Sequence, residues 1–562
     1  MQRILECVPN FSEGRDPRII RSLTDQVETV EGVALLDVDP GAATHRTVVT
    51  FAGEPEAVIE AAVRSARKAV ELIDMRKHRG EHPRFGALDV CPLVPISGVT
   101  MEEAIEYARH LAKRLGEEVG LTVYCYENAA LREENRNLAH VRAGEYEGLA
   151  QKLATPEGKP DFGPCEFNPQ SGATAVGARR VLVAYNVNLN TTSTRRANAV
   201  AFDIREKGRI KRTGDPLTGE IVRDESGEPA YVPGSLRAVK AIGWYIEEYG
   251  IAQISMNLTD LEKTPVHVAF DEACKKASER GLRVTGSELV GLVPLQALLD
   301  AGEHYLRLQK RSLGVPELEM IKIAVKSLGL DDLKPFDPTE KIIEYKLASM
   351  LPQKPKLVDR SLEGFVEETA SESVAPGGGS VSATLGALGA ALGTMVANLS
   401  SHKRGWDDRW EEFSEWAVRG KEIYTRLLEL VDRDTEAFNN IMEAYRLPDR
   451  SEQDKRVKSD AIEAAARGAM DIPLQVMEES LASMQVIRAM AEMGNPASVT
   501  DAGVGALCAR AAVRGAYLNV RINSDQLEDR EAAKEMLQRG AEIEAKADSL
   551  EAEILNIVES KL

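Results

Sequence analysis

A histidine held at a turn is the first candidate for chemistry in this 562-residue chain. His82 lies in Arg79-Gly80-Glu81-His82-Pro83-Arg84, where Gly80 and Pro83 disfavour a regular helix and present the ring on a loop. An imidazole titrates near neutrality, which suits a general base; a ring that merely caps a turn is the plainer alternative. His78 precedes it by four residues, but the same glycine and proline spoil the helix that would align two metal ligands, so no metal is expected. Asp37 and Asp39 end a strand-like run at 33–38, where a carboxylate can orient an imidazole or simply cap the strand. Arg46 and Arg84 carry guanidinium groups able to grip a carboxylate in bidentate fashion, or to form surface ion pairs.

A second group of candidates lies past residue 370. Pro376-Gly377-Gly378-Gly379-Ser380 precedes a helical pattern, so free backbone N–H groups there can receive a carboxylate or polarise a leaving group. No Gly-Lys-Ser/Thr follows, which excludes a phosphate P-loop, and packing explains the glycines equally well. Asp432 and Asp434 are two residues apart on a helical pattern and so occupy different faces. In isolation either reads as a solvated charge. Lys455 and Lys458 follow Arg446-Leu447-Pro448 and can meet an anionic tail, although lysines on a polar helix usually only solvate it. Asn519 and Asn523 share a helix face at i and i+4, where burial demands hydrogen-bond partners; a structural network is the simpler reading.

The elements that must position these residues fall into two classes. Over the first 300 or so residues, β-rich runs (33–38, 47–52, 121–126, 181–188) alternate with helical patterns such as 55–73 and 100–116, which is α/β material. Thr100 with Glu103 forms a capping-box signature, and Gly116 is expected to end that helix. The polar stretch 208–227 reads as an exposed hairpin or loop. Prolines and charges concentrate at 334–356, expected to be a linker with one short helix. From 361 on, long 3.6-period patterns (410–430, 459–469, 499–519, 529–562) predict an all-helical bundle.

Composition bounds the partners. With 89 acidic and 70 basic side chains the formal charge is -19, which opposes a nucleic-acid backbone, while a cleft can still collect a few cations for a small anion. The six cysteines are scattered with no C-x-x-C pair, and the N-terminus lacks a signal-peptide layout, so a reducing cytoplasm is expected. Residues 381–399 carry no charge, but glycine, alanine, serine and threonine supply much of the length, so a tightly packed soluble helix is expected rather than a membrane span.

Several runs are more specific than composition. Cys7-Val8-Pro9-Asn10-Phe11-Ser12-Glu13-Gly14, Leu36-Asp37-Val38-Asp39-Pro40-Gly41, the run from His82 to Pro92 (HPRFGALDVCP) and the stretch 161–180 resemble glutamate formiminotransferases. Ala375-Pro376-Gly377-Gly378-Gly379-Ser380-Val381, Val431-Asp432-Arg433-Asp434-Thr435-Glu436-Ala437-Phe438, Arg446-Leu447-Pro448 and Gly515-Ala516-Tyr517-Leu518-Asn519-Val520 resemble formiminotetrahydrofolate cyclodeaminases. The halves stand in the order of the bifunctional formiminotransferase-cyclodeaminase family, and the resemblance covers nearly the whole chain. Thr44-His45-Arg46-Thr47 departs from the pattern, which has Asn before the Arg-Thr pair, so the resemblance gives His45 no role.

The resemblance implies two α/β sandwich subdomains at 1–180 and 181–333, the linker 334–356, and an all-α cyclodeaminase bundle at 357–562. It implies transfer of a formimino group from N-formimino-L-glutamate to tetrahydrofolate, then closure to 5,10-methenyltetrahydrofolate with loss of ammonia, in histidine breakdown. It makes His82 and Asp434 catalytic, with Asp39 as orienting or amidine-holding carboxylate and Arg46 and Arg84 as candidates for the substrate carboxylates. Gly163-Pro164-Cys165-Glu166-Phe167-Asn168-Pro169-Gln170-Ser171-Gly172 resembles the family's folate-binding segment, with a glycine- and proline-shaped backbone that approaches the pterin. Gly377, Gly378, Gly379 and Ser380, with Lys455 and Lys458 toward the glutamate tail of a polyglutamylated folate, make the second binding set. Tetrahydrofolate is the co-substrate, and self-association into a homo-oligomer is expected. The alternatives are a transferase fused to a methenyltetrahydrofolate cyclohydrolase, or a nonenzymatic folate-binding protein.

Overall fold

The computed structural model describes residues 3–42, 44–80, 84–214, 218–351 and 355–562. Its first strand is interrupted by a proline. β1 (Ile4–Cys7) and β2 (Asn10–Phe11) are separated by Val8 and Pro9, and Pro9 has no N–H to give to the ladder. The ladder carries on around it, through Val8 N–H to Pro92 O at 3.1 Å and Val49 N–H to Pro9 O at 3.0 Å. Then follow α1 (Pro17–Glu28), β3 (Val33–Gly41), β4 (Arg46–Gly53), α2 (Pro55–Leu72), β5 (Leu88–Ser97), α3 (Met101–Arg114), β6 (Thr122–Glu127), the short helices α4 (Leu138–Val141) and α5 (Glu145–Leu153), and β7 (Ala173–Ala178).

These strands form one mixed sheet in the order β3, β4, β1 with β2, β5, β7, β6. The pairs up to β5 are antiparallel; β5, β7 and β6 run parallel. One face is buried under α1, α2 and α3, with Leu5, Cys7, Phe11, Phe51 and Leu93 meeting Leu23, Val58, Ile59 and Leu111. Strand alternation therefore sends Glu6, Asn10, Asp39 and Arg46 to the opposite face. Register brings the last three together, since Val48 pairs with both Asp39 and Asn10 while Arg46 pairs with Gly41. Thr100 and Glu103 complete the expected capping box. Gly116 does not end the helix. A π-turn at Leu115–Val119 carries it to Gly120 (φ 76°), and Gly116 instead lets the backbone of Gly163 approach, where a Cβ would stand 2.6 Å from its nitrogen.

The second subdomain is a four-stranded antiparallel sheet, with α6 (Thr194–Ile204) following β8 (Val183–Leu189). The polar stretch near 208–227 is an extended ribbon that starts and ends with β9 (Arg209–Ile210) and β10 (Tyr231–Val232). Then come β11 (Val239–Ile246), β12 (Ile251–Leu258), α7 (Val266–Glu279) and β13 (Val284–Val290). The order is β11, β12, β8, β13, with α6 and α7 packed on it. After it come α8 (Leu295–Leu308), α9 (Glu317–Leu328), α10 (Pro338–Lys341) and α11 (Ile343–Met350).

The segment expected to be a linker is not one along its length. Ile343 and Leu347 of α11 are buried against Ile4, Ala34, Leu36 and Ala52 of the first sheet. Its prolines delimit two helices instead of marking a free tether.

The rest is helical: α12 (Leu362–Ala370), α13 (Gly378–Ser401), α14 (Trp410–Arg446), α15 (Glu452–Met493), α16 (Val499–Asn523) and α17 (Arg530–Glu559). α15 runs far beyond the expected 459–469 and contains Pro473, the residue type that argues for a stop when read from sequence. The chain divides into two compact units, Met1–Ala301 with Val325–Pro352, and Gly302–Ala324 with Gln353–Leu562. In the second unit α13 packs against α14, α15 and α16. Its glycines permit the approach: a Cβ on Gly389 would lie 2.8 Å from Gly505 O, and one on Gly393 would lie 3.0 Å from Ile487 Cγ1. By length and composition alone α13 could cross a membrane, with 61% of its apolar window buried.

Leu347→Ala is expected to destabilise the first unit by about 2–4 kcal/mol, because it removes a buried side chain from a packed cluster. Urea unfolding followed by hydrogen exchange measures this; a tether residue would give no change.

Candidate active sites

The polar face of the first sheet carries a buried ionic cluster. Phe11 pairs with Leu88 and Asn10 with Val90, which leaves Asp89 as the extra residue of a β-bulge, a distortion that re-aims a side chain. Asp89 is 1% exposed and lies between two guanidinium groups: Arg46 NH1 is 2.6 Å from Oδ2, and Arg142 NH2 is 3.0 and 2.8 Å from its two oxygens. Arg46 Nε also donates to Asn10 Oδ1 at 2.9 Å. Asp39 and Asp37 are exposed on the same face.

Next to this cluster two imidazoles stack. His45 and His78 have ring centroids 4.4 Å apart and planes within 13°. His78 Nε2 is 2.7 Å from His45 O, and His45 Nε2 is 3.2 Å from Glu13 Oε1. His45 adopts φ 52°, an unfavourable backbone for a side chain of its size. Burial holds the pKa of His78 below its ordinary value. The Nδ1 atoms of both rings lack a partner among the described residues.

His82, with Glu81 and Pro83, lies outside the described residues. Its flanks are well placed. Gly80 packs against Thr44 O and His45, leaving no room for a Cβ. Arg84 donates through NH1 to Met75 O at 2.6 Å and His78 O at 2.5 Å, pairs with Glu147 at 2.7 Å, and stacks 4.4 Å over Tyr146. Arg84 is thus a strut for this loop, with most of its donors committed to its own chain, instead of a free carboxylate ligand.

The segment 163–172 wraps the same region. Tyr146 donates to Pro169 O at 2.5 Å and meets Phe167 at 5.5 Å; Gln170 Nε2 donates to Val70 O at 3.1 Å, and Ala87 N–H to Ser171 O at 2.8 Å. Asn168 Oδ1 accepts from Gln170 N–H at 2.9 Å. Gly163 (φ 79°) and Gly172 (φ 67°) lie tight against Leu121 O and Phe85 O, so these glycines serve the protein's own packing. Pro164, Cys165 and Glu166 are exposed; Cys165 Sγ reaches Leu153 O at 3.7 Å.

The second unit contains a cavity of about 130 Å³ whose walls include Gly377, Gly378, Gly379, Asp434, Thr435, Phe438, Asn519 and Asn523. Asp434 Oδ2 accepts from Ser380 Oγ at 3.0 Å, and that hydroxyl is also 3.0 Å from Val431 O. A Cβ on Gly379 would overlap the Asp434 carboxylate. Burial raises the Asp434 pKa, opposed by its hydrogen bonds to the Ser380 side chain and backbone. Asp432 faces elsewhere, as the two-residue spacing predicts, and its Oδ1 accepts from Leu357 N–H at 2.6 Å. Lys455 and Lys458 stand apart from the cavity, at the start of α15, 2.7 Å from Glu452 and 3.5 Å from Asp449.

Comparison with known proteins fits this division. Residues 4–179 match the family described as formiminotransferase domain, N-terminal subdomain; 184–348 match formiminotransferase domain; 361–542 match formiminotransferase-cyclodeaminase. A formimidoyltransferase-cyclodeaminase of Gallus gallus is 42% identical over 561 residues, covering 100% of both chains. The chain belongs to the formimidoyltransferase-cyclodeaminase family. A glutamate formimidoyltransferase of Streptococcus pyogenes is 40% identical over 55% of this chain and 95% of its own. A methenyltetrahydrofolate cyclohydrolase of Methylorubrum extorquens is 33% identical over 36% of this chain and 98% of its own. Each of these two aligns with part of this chain, over 309 and 204 residues respectively.

Asp89, Glu13 and Asn10 stand inside motifs that resemble the family, yet nothing in those runs says that Asp89 sits on a bulge between two arginines. Arg142 and Tyr146 carry no sequence signal, and His78 carries none beyond its four-residue spacing from His82. Asp89→Asn is expected to leave two guanidiniums facing each other without their counter-charge and to destabilise the first unit by about 3–5 kcal/mol. Hydrogen exchange in β2, β4 and β5 measures it, with exchange in α13–α16 unchanged.

Proposed function

We infer that the chain carries out two consecutive folate reactions. It transfers the formimino group of N-formimino-L-glutamate to N5 of tetrahydrofolate, then cyclises 5-formiminotetrahydrofolate to 5,10-methenyltetrahydrofolate with release of ammonia. The full-length similarity to a bifunctional relative, with both halves in the same order, carries this reading.

In the first reaction N5 attacks the formimino carbon, N5 gives up a proton, and the glutamate nitrogen leaves carrying one. His82 takes and returns that proton; the anchoring of Gly80 and Arg84 at the edge of the His45–His78 stack supports this. Asp39, exposed on the sheet face beside Arg46, holds the amidine N–H groups. Arg46, held beside Arg142 on Asp89, is the guanidinium offered to a carboxylate of the substrate. Segment 163–172 borders the folate, and Arg84 holds the loop between them.

In the second reaction Asp434 takes the proton of N10 as that nitrogen closes on the carbon and passes it to the departing nitrogen. The raised pKa of a buried carboxyl suits this exchange. A separate pocket lined by Ala444, Leu447, Ala461 and Ala465 lies along α14 and α15 between the Asp434 cavity and Lys458, itself roughly 16 Å from Ala469 by helical rise, which supports a path for a polyglutamate tail. Self-association is supported by α13 and α16, which bury small residues and leave Leu388, Met395, Leu399, Val504, Leu507, Leu518 and Ile522 exposed. The three buried and three less buried cysteines are all free, which suits the cytoplasm. The similarity to a cyclohydrolase favours one rival, hydrolysis of the methenyl product in place of deamination.

Ammonia and methenyltetrahydrofolate formation from formiminoglutamate and tetrahydrofolate tests the pair. His82→Ala is expected to lose transfer, and Asp434→Ala to accumulate 5-formiminotetrahydrofolate; well-folded wild type that releases no ammonia sinks the reading. Because Asp434 must be ionised to act as base, kcat/KM for deamination falls as pH drops through a pKa above the ordinary aspartate value. The same shift sets a stability trend. The folded state holds the Asp434 proton more tightly than the unfolded one, so its contribution is largest below the unfolded pKa and is lost as pH rises through the folded pKa. Asp434→Asn is therefore expected to raise the second unit's Tm at neutral pH while abolishing deamination.

A further inference from the structure

The Asp434 cavity has two walls that proton transfer does not use. Asn519 and Asn523 stand about one turn apart on α16 and both line it. Asn519 Nδ2 donates to Gly515 O at 2.9 Å, and Asn523 Nδ2 donates to Ala469 O at 2.8 Å. A carbonyl oxygen only accepts, so these bonds fix which end of each carboxamide is nitrogen and turn the oxygen end away from the backbone. Gly378 keeps the space over Asn519 open, since a Cβ there would lie 3.4 Å from its Nδ2. Of the Asp434 oxygens, Oδ2 is the one that accepts from Ser380. The two carboxamides, oriented through their nitrogen ends, and the Asp434 carboxylate line one small volume.

We propose that Asn519 and Asn523 make this site specific for a formimino over a formyl group on N5. The inference rests on the reading of this cavity as the deaminating site. The bound amidinium, N5–CH=NH2+, is all donor at its terminal nitrogen, while a formyl group presents an acceptor there. N10 attacks the carbon to form the C–N10 bond, and the π electrons move to the terminal nitrogen. Asp434 takes the N10 proton and gives it to that nitrogen, which becomes –NH3+. The C–N bond breaks toward nitrogen, ammonia leaves, and the single positive charge stays on the methenyl product. The three N–H bonds of –NH3+ meet three acceptors: Asp434, Asn519 Oδ1 and Asn523 Oδ1. A formyl oxygen in the same place meets the same three acceptors and receives no hydrogen bond from any of them. Sites built to bond an N–H reject the isostere that lacks it far more strongly than apolar pockets discriminate.

The test compares KM for 5-formiminotetrahydrofolate with Ki for 5-formyltetrahydrofolate on the full chain. Wild type is expected to prefer the formimino ligand at least about 100-fold. The double variant Asn519→Leu, Asn523→Leu is expected to narrow that ratio at least about 10-fold, mainly through a higher KM, with hydrogen exchange in α13–α16 unchanged as the folding control. Asn519→Asp, which keeps an acceptor oxygen, is expected to retain the wild-type preference. Equal weakening of both ligands, or an unchanged ratio in a double variant whose α13–α16 exchange is that of the wild type, overturns the proposal. If the leucine variant fails to fold, a wild type without preference, or loss of preference in Asn519→Asp, overturns it. Wild type that releases no ammonia from the formimino ligand overturns the underlying reading instead, which keeps the two failures distinct.

Discussion

A carboxylate removed from water must recover its lost hydration from cations or donors, and each unit of this chain is arranged about one such group. Asp89 is compensated by the guanidiniums of Arg46 and Arg142, which fix it in place on a protein whose total charge is -19. Asp434 is compensated in part, by one hydroxyl and the N-terminal backbone of α13, and its pKa rises. The same cost therefore yields two different tools: a fixed ion cluster in the first unit and, on the reading proposed above, an exchangeable proton in the second.

Small residues make the second tool possible. Asp434 comes from α14, Ser380 and the glycines from α13, and Asn519 and Asn523 from α16, so three helices must converge within hydrogen-bond reach. Gly379 lets the carboxylate lie on the helix end, and Gly386, Gly389 and Gly393 let α13 approach its neighbours along its length. The usual order of an amphipathic helix is inverted as a result, with Gly386, Gly389 and Ala390 inside and Leu388, Met395 and Leu399 exposed. That inversion is what makes α13 resemble a membrane span in composition while it serves as the centre of a bundle.

How much of this was legible follows from the range of the interactions. Period and capping are local, so the α/β-then-helical division, the Thr100–Glu103 box and the opposed directions of Asp432 and Asp434 could be read from sequence. Gly116 was misread because a close approach to Gly163 overrode its local preference, and α15 outran the expected 459–469 because burial carries one long helix through Pro473. The linker misled for the same reason, since prolines signal a break in chain direction but not whether Ile343 and Leu347 find a sheet to cover. Asp89 sat in full view within a motif, and its role needed a bulge and an arginine 53 residues away. The stacking of His45 on His78 was equally hidden, because 33 residues separate them and His45 reaches the stack through a left-handed backbone.

With the Asp434 cavity as the proposed site of the second reaction, the α13 terminus also bears on how that reaction ends. A cavity of a carboxylate and two amide oxygens holds a cation well, and the product is a cation, so acceptors alone would slow release. The helix N-terminus contributes roughly half a positive charge at the same point, where Gly378 and Gly379 bring the backbone against Asp434. Before cyclisation this partial charge is outweighed by hydrogen bonds from the terminal nitrogen to all three acceptors. After ammonia departs, the methenyl carbon and both ring nitrogens have no N–H to donate, so the directional part of the attraction disappears while the repulsion from the helix end remains. Recognition thus depends on hydrogens that the reaction itself removes, and the positive end of α13 turns that loss into weaker binding of the product.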